Sequence, residues 1–145
     1  GGWKPYRTED VKYKPGERCD FALKAHVLRD REEYRDVALW DNGNVRTQEF
    51  RGALIMQWKN LETGVAVRRN QSGRAFFEYH RNGDLEELAA MTGHFSAGLP
   101  EGSTPGRGAY YVGGRWSSVV FAKDDTRTIM LGPDGTIENL CDTLG

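Results

Sequence analysis

The stretch Thr47 to Arg81, TQEFRGALIMQWKNLETGVAVRRNQSGRAFFEYHR, decides the fold class. From Ala53 to Lys59 the side chains alternate, with Leu54, Met56 and Trp58 on one face and Ile55, Gln57 and Lys59 on the other. A period of two marks a half-buried strand. Asn60-Leu61-Glu62-Thr63-Gly64 then supplies residues that tolerate the left-handed backbone of a short hairpin loop. The chain returns through Val65 to Arg69, turns again at Asn70-Gln71-Ser72-Gly73, and runs out along the aromatic-rich Arg74 to Arg81. Asn82-Gly83-Asp84 closes that strand with a strong turn signal. Three consecutive strands with a face of Leu, Met, Trp and Val need a second layer, and no helical segment is long enough to provide one. A second set of strands, or closure of the sheet on itself, follows.

The rest of the chain agrees with an all-β reading. Eighteen glycines among 145 residues suit many short strands joined by turns. A net charge of −1 with 28% charged residues gives a balanced surface, which predicts no bulk attraction to nucleic acid or to an anionic membrane. No apolar run approaches bilayer-spanning length. The opening residues carry no signal-like segment, and Gly1-Gly2 fits either a cleavage scar or a mature terminus.

Residues 1–18 read as an extended arm that lays Trp3, Tyr6, Val11 and Tyr13 on the outside of the domain. Cys19 opens a strand through Val27, and Arg29 to Glu33 reads as a solvated connection. Val37 to Trp40 and the segment from Val45 are strands around the Asp41-Asn42-Gly43-Asn44 turn. Asp84 to Met91 suits a strand or a short helical turn, with strand preferred, and Thr92 to Ser96 reads as another strand. Ala97 to Gly108 is a turn-rich surface loop. Ala109 to Val112, Arg115 to Ala122 and Thr126 to Leu131 complete the strands, before Thr136 to Leu144 brings the chain back to its first strand. The expectation is one domain over residues 19–145, with about eight antiparallel strands in a closed or nearly closed barrel of lipocalin or avidin size. A two-sheet sandwich is the second choice. The two cysteines, Cys19 and Cys141, are either buried free thiols or one disulfide closing nearly the whole domain, and the disulfide is preferred.

Cys19-Asp20-Phe21, Asn60 to Gly64, Ser72-Gly73, Asn82-Gly83, Tyr111 through Gly114-Arg115, Gly135-Thr136-Ile137 and Asn139 to Leu144 occur in that order. Over residues 19–144 this pattern resembles a group of small secreted actinobacterial β domains of uncharacterised function. The chain departs from the group at Asn139, where Asp is usual, and in the more charged Arg29 to Glu33. The resemblance implies secretion and a disulfide. It implies no site.

Chemistry is harder to place. His26, His80 and His94 lack metal-ligand spacing, and no cofactor motif is present. Glu78 and His80 share a strand face and form an acid/base candidate, but Phe77 and Tyr79 make an equally good inward face, which puts the pair in solvent. Ser96, Ser103, Ser117 and Ser118 lack a nucleophile elbow. The basic stripe Arg68, Arg69, Arg74 and Arg81 beside Phe76, Phe77 and Tyr79 resembles a single-strand platform, but balancing acids and an extracellular address argue against nucleic acid. Asn70-Gln71-Ser72 is a glycosylation sequon, which has meaning only in a secreted eukaryotic chain. Trp58, Phe77, Tyr79, Tyr110 and Trp116, with Tyr111, are the aromatics that either fill a barrel core or line a ligand cavity. The expected function is an extracellular, non-enzymatic binding or surface-interaction module with no cofactor and an unidentified partner. A barrel with an internal small-molecule cavity and a cyclase-like pocket enzyme are the alternatives.

Overall fold

A computed structural model describes residues 2–145. The chain forms thirteen strands among these residues: β1 Lys4–Pro5, β2 Val11–Tyr13, β3 Leu23–Asp30, β4 Glu33–Leu39, β5 Val45–Gly52, β6 Leu54–Asn60 and β7 Ala66–Asn70, then β8 Gly73–Tyr79, β9 Leu85–Leu99, β10 Gly108–Gly113, β11 Ser118–Phe121, β12 Arg127–Met130 and β13 Thr136–Asn139. One short helix, α1 Leu140–Leu144, follows. A nine-stranded antiparallel sheet runs β1-β4-β5-β8-β9-β10-β13, with β11 branching from β9 and β12 pairing on β11. A four-stranded sheet runs β2-β3-β6-β7. Neither sheet closes, so the expected barrel is corrected to a sandwich-like arrangement of two open sheets.

The reason is a crease. The chain passes from one sheet to the other at Arg31-Glu32, at Gly52-Ala53 and at Gln71-Ser72, and β9 bends at Gly93 between its two sets of partners. Gly52, Gly73 and Gly93 all have positive φ (125°, 156° and 78°). A Cβ on Gly52 would come 2.3 Å from the Arg31 carbonyl oxygen, one on Gly73 2.2 Å from that of Thr92, and one on Gly93 2.0 Å from that of Ser72. Each corner therefore nests on its neighbour's backbone, which only glycine allows. Strands that switch sheets through such bends fold a meander into layers instead of curving it round to meet itself. The alternation of Leu54, Met56 and Trp58 survives, but it faces a second layer rather than a barrel interior.

Two cores result. Leu54, Met56 and Trp58 pack with Phe21, Leu23, Ala25, Cys19, Ala109, Leu140 and Leu144. Phe95, Ala97, Leu99, Tyr110, Val112, Val119 and Ile129 form the other. Strand β10 separates them, with Ala109 and Tyr111 turned to the first and Tyr110 and Val112 to the second. This is why GAYYVG is apolar without alternation: both its faces are covered.

The ends are tied in. Cys19 and Cys141 are bridged, with Cα atoms 5.3 Å apart. Asn139 caps α1 by accepting from the Cys141 amide at 3.0 Å. Buried Asn60 accepts from the Glu62 and Thr63 amides within its hairpin and donates to the Leu144 carbonyl at 3.1 Å. The residues 1–18 are extended but do more than cover the outside. Strand β1 pairs with β4 and β2 with β3, so the arm adds an edge strand to each sheet. Strand β3 begins at Leu23 rather than Cys19, and β9 is one bent strand where two were expected.

Candidate functional site

The arm crosses the crease at Tyr6 to Thr8, and a half-open cleft of about 200 Å³ lies beneath it. Its walls come from the concave side of the bend: Phe50 of β5, Leu54 and Met56 of β6, Ala75 and Phe77 of β8, Leu88, Ala90 and Phe95 of β9. The register explains the convergence. Phe50 lies opposite Ala75, Ala75 opposite Ala90, and Phe77 opposite Leu88, so these side chains share one face. Small residues at 75 and 90 leave room between the larger ones. Phe50 and Phe77 have ring centroids 4.2 Å apart, Tyr34 stacks on Phe50 at 5.7 Å, and Tyr6 of the arm meets Phe50 edge-on at 5.1 Å.

Polar groups sit at defined points of this apolar surface. Gln71 accepts from the Trp58 indole Nε1 at 3.0 Å and donates to Ser96 Oγ at 2.9 Å. Thr8 donates its hydroxyl to Glu32 Oε1 at 2.5 Å and its amide to Asp30 Oδ2 at 2.7 Å. Burial pushes the Glu32 carboxyl up to about 7, aided by the neighbouring charge of Asp30 and opposed by the Thr8 hydrogen bond. The Arg29 to Glu33 connection is thus not simply solvated: Asp30 and Glu32 dock the arm.

The expected site residues separate. Trp58 is 4% exposed and belongs to the first core. Tyr110 is buried in the second core and donates its hydroxyl to the Gly106 carbonyl. Phe77 lines the cleft. Tyr79 lies on the same strand face and donates to Gln48 Oε1 at 2.6 Å, but does not line it. Trp116 is corrected from an inward aromatic to a surface one: it is 56% exposed with φ 63°, in a turn before β11. The histidines stay apart. His26 contacts Asp10 at 2.6 Å, His80 approaches Glu86 at 3.9 Å, and His94 stacks on Tyr111 at 4.6 Å. Glu78 accepts from Thr47 Oγ1 at 2.6 Å rather than pairing with His80.

Phe50, Glu32 and Thr8 are not singled out by the sequence, and Tyr6 reads there only as an arm aromatic on the outside of the domain. Phe50 falls in the quoted stretch but before its clear alternation, and the others lie in segments read as arm and connection. No protein-family model matches the chain, and neither a curated protein nor a solved structure matches it.

Proposed function

We propose that the chain is an extracellular, non-enzymatic binding domain that takes one ring-sized group of a partner into the cleft beneath its arm. The observation that carries this is an apolar concavity left unfilled beside the packed ring cluster of Tyr6, Tyr34, Phe50 and Phe77. Cavities near 150 Å³ are known to take a single benzene, so about 200 Å³ suits one planar group. Enclosed drug-sized ligands need roughly 300–1,000 Å³. The occupant is therefore the end of a longer molecule that continues into solvent. The Cys19–Cys141 bridge supports an oxidising compartment, and an arm tied to both sheets gives the walls a rigid frame. The test is an NMR titration with ring-sized probes, among them benzyl alcohol, indole and methylguanidinium. At least one should shift the amide signals of Phe50, Phe77 and Ser96 with saturation, and Phe77→Leu should weaken that binding. Saturable shifts confined to another surface, or none with any probe, would overturn the proposal.

A further inference from the structure

Resting on that reading, we infer that the group taken into the cleft is the guanidinium of an exposed arginine on a partner protein. This chain seats its own arginines on aromatic rings. Arg35 and Arg51 lie over Trp3 at 4.7 and 3.8 Å, Arg46 and Arg81 over Trp40, and Arg18 over Tyr13. Several of the same arginines also reach a carboxylate: Arg35 pairs with Glu49 at 2.9 Å, Arg51 with Glu33 at 3.2 Å and Arg81 with Asp41 at 2.6 Å. An aromatic face with an acid beside it is this molecule's recurrent guanidinium seat.

The cleft has the same two components. Tyr6, Tyr34, Phe50 and Phe77 form one continuous aromatic cluster, and among the described residues no arginine or lysine lies over any of these rings. Glu32 lines the cleft, and neither it nor Asp30 forms an ion pair among the described residues.

The charged groups around Glu32 leave that seat open. From the arm, Arg7 donates Nη1 to the Tyr6 and Glu32 carbonyls and forms no ion pair with the carboxylate, although its charge favours the ionised acid. Thr8 and Tyr6 are neutral there, and Glu9 adds negative charge on the arm. Asp30 accepts from the Thr8 and Glu32 amides. Across the cleft, Arg51 is engaged by Glu33 and Trp3, Arg74 by buried Glu49, and His94 by Tyr111. Arg51 is offset by Glu33, and Arg35 and Arg74 share the one Glu49, whereas Glu32 at the cleft and Asp30 behind it have no ion-pair partner among the described residues, so the arm side of the cleft is where a cationic occupant finds its counter-charge. Phe50 is buried between Tyr34 and Phe77, so the ring offered to a planar guanidinium is the half-buried Phe77, with the carboxylate as its acceptor and the aliphatic stem of an arginine spanning the open mouth.

Glu32 is held up to about 7, so it is neutral below that value and anionic above it. A guanidinium stays charged throughout. Binding should strengthen as pH rises through 7, and near 7 it should release a proton from Glu32 to the buffer as the ion pair forms.

The test compares acetyl-Gly-Arg-Gly-amide with the same peptide carrying citrulline, an uncharged near-isostere of arginine. Titrations of the full chain are read by NMR and calorimetry on either side of pH 7. Above 7 the arginine peptide should bind about tenfold or more tightly than the citrulline peptide. The advantage should shrink below 7. It should also vanish in Glu32→Gln, which keeps the shape of the protonated acid and leaves His94 in place, so a pH dependence that survives this change would contradict the inference. The wild-type pH series stands alone if that variant folds poorly. Equal binding of the two peptides in the cleft would overturn the guanidinium assignment and leave the binding cleft standing. If neither peptide nor any neutral ring probe binds, both fall.

Discussion

The two sides of the crease contrast in how they are filled. On one side Trp58 meets a layer closed by α1 and stapled by Cys19–Cys141, with Met56 and Leu54 reaching from that core to the cleft wall. The indole nitrogen is satisfied by Gln71, and the helix is held to the hairpin by Asn60. On the other side Phe50 and Phe77 face a cleft crossed only by Tyr6 to Thr8, whose hold on the sheet is a two-residue strand and hydrogen bonds to Asp30 and Glu32. The same bent strands serve both. A bend has one convex and one concave side per layer, and the chain has spent its plug, its cap and its disulfide on one of them. Stability is therefore concentrated around Trp58, and the side left open is the one to which the proposed binding is assigned.

The largest way to break this contrast is to remove the staple. Its loop spans a separation of 122 residues. Reduction, or the double change Cys19→Ala and Cys141→Ala, should cost about 4–5 kcal/mol on the chain-entropy model. Denaturant titration with and without reductant measures it. A midpoint that did not move would mean that α1 is held by Leu140, Leu144 and Asn60 alone. Alkylation of two thiols in the native, unreduced protein would show that the bridge does not form.

Next comes Trp58. Its neighbours on the strand face are Leu54 and Met56, and Val67 of the returning strand lies directly opposite. Removing a buried indole costs about 3–5 kcal/mol. Trp58→Ala also leaves the Gln71 Oε1 without its indole donor. A sharply lower denaturation midpoint is expected, whereas Phe77→Leu on the open side should leave the midpoint nearly in place. If the two variants lost equal stability, the division into a packed side and a binding side would be wrong.

How much of this was legible is clear from particular residues. Alternation at Leu54, Met56 and Trp58, and the turns at Asn60 to Gly64 and Asn82-Gly83, are local signals, and the strands and hairpins they announce are present. The corners are not local. Gly73 reads as part of a turn and Gly93 as a strand residue, and Gly52 lies just before the clear alternation with no reading of its own. What makes each a corner is the backbone oxygen of a neighbouring strand. A barrel and a folded sheet share the same alternation, so periodicity could not separate them. The cleft was illegible for the same reason: Phe50, Phe77 and Glu32 meet only once the bend exists, and the arm residues that roof it have no periodicity to read.

The smallest predicted effect tests that account of the corners, because it compares one residue type at two places. Gly64 and Gly93 both have positive φ, 82° and 78°. At Gly64 an added Cβ meets nothing within 4 Å. Gly64→Ala should therefore cost only the backbone term, about 1 kcal/mol, since alanine is poorly tolerated at that φ. At Gly93 the same methyl would strike the Ser72 carbonyl oxygen, which pairs with the His94 amide at 3.3 Å. Gly93→Ala should cost about 2–4 kcal/mol, the backbone term plus overpacking. It should also shift the NMR signals of cleft residues on both flanks of the corner, whereas Gly64→Ala leaves them alone. Equal costs at the two sites would mean that φ alone governs these glycines. The nesting of corner on corner would then not be what folds the sheet.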